Sequence, residues 1–122
     1  MSIFDKFRLT GKRLFITGGS RGLGREMALA IADAGADVVL VGREGASLHQ
    51  TADDIRKLGR MAIPLEGDVG IPAECESICQ RVLKDDGPID ILINNVGGRR
   101  INVPLEDQTL EQWQQLIDLN LT

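Results

Sequence analysis

The chain has 122 residues, 14 Lys and Arg against 18 Asp and Glu, 43% hydrophobic residues and no tyrosine. That length is one domain or part of one. A formal charge of -4 excludes a strongly basic nucleic-acid surface, and the composition is too apolar for a disordered chain. The longest aliphatic run, Val38-Val39-Leu40-Val41, falls far short of the ~20 residues a membrane helix needs. Residues 1–13 mix charges with apolar groups and hold no signal-peptide core, so a cytoplasmic protein without membrane or nucleic-acid partners is expected.

Short apolar runs alternate with amphipathic ones. Leu14-Phe15-Ile16 predicts a strand running into Gly18-Gly19. Leu23, Met27, Ala30, Ile31 and Ala34 then recur at helical spacing, with Gly35 at the position of a C-terminal cap. Val38 to Val41 reads as a strand buried on both faces. Leu48, Ala52, Ile55 and Leu58 form the next helical stripe, closed by Gly59, and Ala62 to Leu65 reads as a third strand. Pro64 lacks an N–H for a sheet ladder, which predicts an edge position.

The third helix has Pro72 in its first turn and Cys75, Ile78, Val82 and Leu83 facing inward. Cys75 and Cys79 read as two reduced packing thiols, because an i, i+4 pair on a helix would have to bond without distorting the turn and no further ligands surround them. Asp86-Gly87-Pro88 is a turn, and Ile89 to Ile93 predicts a fourth strand ending at Asn94-Asn95-Val96-Gly97. The last helix opens at Thr109 with Gln112 as capping-box partner and an inner stripe of Leu110, Trp113, Leu116, Ile117 and Leu121.

The order βαβαβαβα with short connections predicts an α/β protein, a Rossmann-type doubly wound parallel sheet whose ligand lies across the carboxyl ends beside the first strand. The fourth strand keeps one flank without a partner, and Ile91-Leu92-Ile93 is too apolar for an exposed edge. The chain is therefore expected to be the N-terminal part, 1–122, of a single dinucleotide-binding domain that is incomplete at its C-terminus.

Thr17-Gly18-Gly19-Ser20-Arg21-Gly22-Leu23-Gly24 leaves a strand and opens a helix, the context of a phosphate-binding glycine loop. Gly18, Gly22 and Gly24 allow a tight turn, close approach to a pyrophosphate and close helix packing. Free N–H groups at the helix start attract the anion. A ligand-free glycine turn is the bland alternative. At the end of the second strand an NAD site usually places a carboxylate for the ribose 2′-hydroxyl. Here Arg43 stands at the tip, with Glu44 one residue later. Arginine suits a 2′-phosphate, and Arg21 can add a second cation, so the residues favour NADP (NADPH) over two merely solvated arginines.

At this point the glycine loop resembles the Thr-Gly-x-x-x-Gly-x-Gly motif of the short-chain dehydrogenase/reductase family. Asp68-Val69 falls where that family sets an Asp against the adenine ring. Asn94-Asn95-Val96-Gly97 is similar to its Asn-Asn-Ala-Gly, with Val96 departing from alanine, so Asn95 and Gly97 are implied cofactor contacts. Asn120 matches the family's catalytic asparagine, which holds a helix bend and a relay water; on its own it also reads as a helix-packing amide. A narrower similarity, to gluconate 5-dehydrogenase-like and other sugar-acid members, rests on residues 87–95 and on Arg99-Arg100, which could equally be solvated loop cations.

The resemblance implies hydride transfer between a nicotinamide cofactor and a small-molecule alcohol or carbonyl substrate, no metal, and a homo-oligomer built through the helix that begins at Thr109. It also implies a Ser and a Tyr-x-x-x-Lys beyond Asn120. The sequence stops two residues after Asn120 and holds no tyrosine, and His49 sits mid-helix away from the switch point. The 122 residues alone are therefore expected to be inactive. The alternative is a non-catalytic NADP-binding module or inactive fragment.

Overall fold

The computed structural model describes residues 2–96 and 104–120, apart from the side chains of Leu105, Leu116, Leu119 and Asn120. Among the described residues four strands and four α-helices alternate: β1 (Arg13–Thr17), α1 (Gly22–Asp33), β2 (Asp37–Gly42), α2 (Gly45–Lys57), β3 (Ala62–Glu66), α3 (Pro72–Asp85), β4 (Ile91–Asn94) and α4 (Leu110–Asn120). All strand pairs are parallel, in the order β3-β2-β1-β4. The chain thus winds outward from β1 to β3 and returns to the other side of β1. The topological switch lies between β1 and β4, where a doubly wound sheet opens a crevice.

Alternation along the strands assigns each face its helices. Leu14, Ile16, Val38, Leu40 and Ala62 pack against Ala28 and Ala32 of α1 and Leu48, Ala52 and Ile55 of α2. Phe15, Val39, Val41 and Leu65 point the other way, onto Ile78 and Val82 of α3. Because both faces are covered, the β2 strand reads as one uninterrupted apolar run.

Pro64 sits on an edge strand, as its missing donor demands. The Met61 carbonyl accepts from Val38 N–H at 3.0 Å, and Gly67 N–H donates to the Gly42 carbonyl at 3.0 Å. Odd-numbered residues of β3 therefore bond to β2, and even-numbered Pro64 falls in the opposite phase. At the other edge β4 starts at Ile91, two residues later than the periodicity implied, and Leu92 is 61% exposed. Ile91 and Ile93 reach the α1–α2 core, so the open surface of β4 is on the α3 side.

Helix faces depart from the expected stripes in a consistent way. On α1 the buried positions are Gly24, Ala28 and Ala32, while Leu23 and Ala30 are exposed and Met27 and Ile31 only flank the core. Close approach of a helix to a sheet selects small side chains at the line of contact, and hydropathy alone points to the larger neighbours. Leu48, Ala52 and Ile55 are buried as expected, Thr51 joins them, and Leu58 at the helix end is exposed. On α3, Ile78 and Val82 face inward, but Leu83, a further ~100° around the helix, is 65% exposed.

Cys79 is also exposed and Cys75 half-buried, so the pair is not a packed one. Desolvation, with Cys75 adding to it, pushes the Cys79 thiol above its ordinary value and lowers its thiolate fraction. On α4 the Thr109 capping box forms: Gln112 N–H donates to Thr109 Oγ1 at 3.1 Å, and Thr109 N–H donates to Gln112 Oε1 at 3.0 Å. Its expected inner stripe does not hold for Leu110 and Trp113, which are both exposed; Ile117 is half-buried. Among the described residues no helix is long and apolar enough to cross a membrane.

Candidate cofactor-binding site

A cleft of about 210 Å³ opens at the carboxyl ends of the strands, beside the switch point. Its walls come from the turns after β1, β2, β3 and β4. The glycine loop is the first wall. Gly18 adopts φ +70°, a left-handed conformation that glycine enters without strain, and its N–H donates to the Val41 carbonyl at 2.8 Å. The chain then turns into α1 at Gly22, whose N-terminus carries no side-chain cap. Free N–H groups there meet the cleft with the positive end of the helix dipole.

Gly24 stands on the first turn of α1 and faces back into the loop. A Cβ at this position would overlap the Gly18 carbonyl oxygen and the Asn95 amide nitrogen. Asn95 itself ties β4 to the loop: its N–H donates to Thr17 Oγ1 at 3.0 Å, and its Nδ2 donates to the Gly18 carbonyl at 3.2 Å. Gly24 and Asn95 are thus one packed unit that sets the width of the cleft floor.

The second wall is the tip of β2. Gly42 is buried, and a Cβ there would approach Leu48 Cδ1 to 3.3 Å and Ser20 Oγ to 3.5 Å, so the floor accepts no larger residue without adjustment. Arg43 is exposed at the rim. Arg21, the second cation, is paired: its Nη1 lies 3.4 Å from Glu44 Oε1, with the two side chains 76% and 52% exposed. Such a solvated pair is weak and yields readily to a stronger anion.

The third wall follows β3. Asp68 Oδ1 accepts from Gly70 N–H at 2.8 Å and the Asp68 carbonyl accepts from Ile71 N–H at 3.0 Å. The residue therefore shapes the entry to α3 as well as lining the cleft with Val69.

Of the expected contacts, Gly18, Ser20, Arg21, Arg43, Asp68, Val69 and Asn95 converge on this cleft. Gly22, Leu23 and Gly24 open α1 next to it without lining it, with Gly24 buried and Leu23 68% exposed. Gly97, Arg99 and Arg100 lie outside the described residues, as does the side chain of Asn120 on α4. His49 faces Glu66 across 3.5 Å and does not line the cleft. Two contributors escaped the sequence pattern. Gly67 follows β3 as Gly18 follows β1, and a strand-then-glycine signal could have found it. Thr51, fully buried on α2 behind the loop, has no such signal.

Arg25 and Asp54 pair behind the same loop, joining α1 to α2, and Gln50 Nε2 donates to Asp54 Oδ1 at 3.0 Å. The Arg25 bond holds the Asp54 carboxyl below the ordinary carboxylate value of 3.8, against the upward push of partial burial. With the folded-state value lowered, the pair contributes stability above pH 3.8 and loses it as pH falls through the lowered value. Asp54→Asn should therefore make unfolding less pH-dependent below about pH 4, which denaturation curves across that range would show.

The residues present fit a dinucleotide: a side-chain-free floor where glycine Cβ atoms have no room, an uncapped helix start for a phosphate, and the cations Arg21 and Arg43 along the cleft. The family model described as short chain dehydrogenase matches residues 12–122, and the chain belongs to that family. It is 41% identical over 107 residues to an uncharacterized oxidoreductase of Mycobacterium tuberculosis, covering 88% of this chain and 41% of that protein. It is 38% identical over 121 residues to the gluconate 5-dehydrogenase of Gluconobacter oxydans, covering 99% of this chain and 47% of that one. The crystal structure of a short-chain type dehydrogenase/reductase from Mycobacterium marinum superposes with a TM-score of 0.90 at 38% identity, covering 100% of this chain and 49% of that chain. The chain thus spans less than half the length of these relatives.

Proposed function

We propose that the chain is the cofactor-binding half of an NADP-dependent, cytoplasmic oxidoreductase that moves a hydride between the nicotinamide and an alcohol or carbonyl substrate. The observation that carries this reading is the convergence of Gly18, Arg43 and Asp68 on one cleft at the switch point. When bound, the nicotinamide cofactor supplies the hydride donor or acceptor.

The chain's own part is to bind and orient. The loop N–H groups of residues 20–24 take the pyrophosphate. Arg43 takes the 2′-phosphate, joined by Arg21 once Glu44 releases it. Asp68 and Val69 face the adenine, while Asn95 keeps the floor open and Gly97 continues the ribose contact. Asn120 is assigned the relay water of the family's proton path. With no tyrosine in the chain, the proton donor to the substrate oxygen must come from residues outside these 122.

The exposed Leu92 on β4 and Leu110 on α4 support a larger fold that covers them, over a self-contained binding module. An assay of NADPH oxidation against a panel of ketones and keto sugar acids, and of NADP reduction against the matching alcohols and sugar acids, tests the reading. The 122 residues alone should give no turnover, and a longer chain carrying a Tyr-x-x-x-Lys should give it. Turnover by the 122 residues alone would overturn the assignment of the chemistry to residues beyond them.

A further inference from the structure

Behind the glycine loop lies a polar cluster that the proposed cofactor contacts do not use. Thr51 is fully buried between α1 and α2. Its Oγ1 accepts from Arg25 Nη1 at 3.1 Å. It lies 3.3 Å from the Ser20 carbonyl oxygen of the loop and 3.2 Å from the Ser47 carbonyl oxygen of its own helix. A hydroxyl has one proton to give, so the two carbonyls share it. A carbonyl oxygen only accepts, so the hydroxyl acts toward Ser20 as donor, while Arg25, itself fixed by Asp54, occupies one of its lone pairs.

The consequence concerns the Ser20–Arg21 peptide, which is trans like the others among the described residues. In a trans peptide the carbonyl and the following N–H point in opposite directions. Thr51 holds the Ser20 carbonyl in the α1–α2 interface, away from the cleft that Ser20 and Arg21 line. Turned the other way, that oxygen would face a bound phosphate and repel it, and the Arg21 N–H would be lost as a donor. The buried location of Thr51 matters, since solvent cannot substitute for the hydroxyl.

We propose that Thr51, braced by Arg25, is a positioning residue for the phosphate site: it fixes the Ser20–Arg21 peptide so that the loop presents a donor and withholds an acceptor. This rests on the cofactor reading above. The ligand class is a phosphate ester of a dinucleotide, with NADPH and NADH as the probes.

Calorimetric titration of the full-length protein tests it. Thr51→Val should weaken both NADPH and NADH by about fivefold, the loss expected for one hydrogen bond to a loop that both ligands use. Thr51→Ser should stay within about twofold of the unmutated protein, because it keeps the hydroxyl. The ligand-induced shift of the Arg21 amide resonance should shrink in the valine variant and return in the serine variant, which general loosening of the fold would not produce.

Should Thr51→Val not fold, Arg25→Met carries the same test, since it keeps the aliphatic stem and removes both guanidinium donors that reach Thr51 and Asp54; it should weaken both ligands in parallel. Unchanged affinity in Thr51→Val or, where that variant does not fold, in Arg25→Met would overturn the proposal. So would a serine variant as weak as the valine one. If the unmutated protein binds neither dinucleotide, the cofactor reading itself falls, and this inference with it.

Discussion

Gly24→Ala should destabilise the protein by about 3 kcal/mol and abolish dinucleotide binding, although alanine is the better helix former. The gain in helix propensity is only ~1 kcal/mol. Against it stands a Cβ that would overlap the Gly18 carbonyl oxygen and the Asn95 amide nitrogen. Overpacking of this kind typically costs ~1–3 kcal/mol and occasionally more; here a gross cost of about 4 kcal/mol applies, because one obstacle is backbone held by its own bond to Val41, and the net loss is about 3 kcal/mol. Relief requires α1 to lift from β1 or Asn95 to release the Gly18 carbonyl, and either movement reshapes the cleft floor.

Gly22 is the internal control. A Cβ there meets nothing within 4 Å, and only the φ of +60° opposes it, at roughly 1–2 kcal/mol. Thermal unfolding should rank the variants Gly24→Ala well below Gly22→Ala, with the first melting about 10 °C below the parent. The reverse order would show that the close contact at Gly24 does not set the loop.

Arg43→Asp carries the second large effect. The substitution removes a cation from the rim at the end of β2 and places a carboxylate there. A charge-assisted bond to a phosphate contributes about 1.5–3 kcal/mol, and repulsion between the new carboxylate and the 2′-phosphate adds to the loss. NADPH should weaken about 100-fold, while NADH, which offers a ribose hydroxyl to the carboxylate, holds or improves. The NADPH loss should shrink as salt rises, because the rim is solvated. Parallel weakening of both cofactors would mean that Arg43 does not face the 2′ position.

Much of the fold was legible because the strands carry their own signals. The apolar run of β2 announces burial on both faces, and Pro64 announces the edge. The glycine loop is legible for a similar reason, since its residues are chosen for backbone shape. Helix faces were read less well. Hydropathy marks Leu23, Leu83, Leu110 and Trp113 as core, yet all four are exposed, while the contact line of α1 runs through Gly24, Ala28 and Ala32. Periodicity identifies a stripe but not which edge of it meets the sheet.

The site shows the same division. Single-segment features such as the cleft-lining Gly18 and Asp68 stand out in the sequence, but relationships between segments do not. The pairing of Arg21 with Glu44 and the bonding of Thr51 to the Ser20 carbonyl join residues on different elements. No spacing rule connects residue 21 to residue 44, or residue 20 to residue 51; only the packing of α1 beside α2 does.

The cleft at the switch point is proposed above as an NADP site. Titration of the full-length protein with NADPH and with NADH, in the same low-salt buffer, decides between that reading and its alternatives. NADPH should bind at least about tenfold more tightly, the margin expected from one arginine facing the extra phosphate. Equal affinities, or tighter binding of NADH, would contradict it.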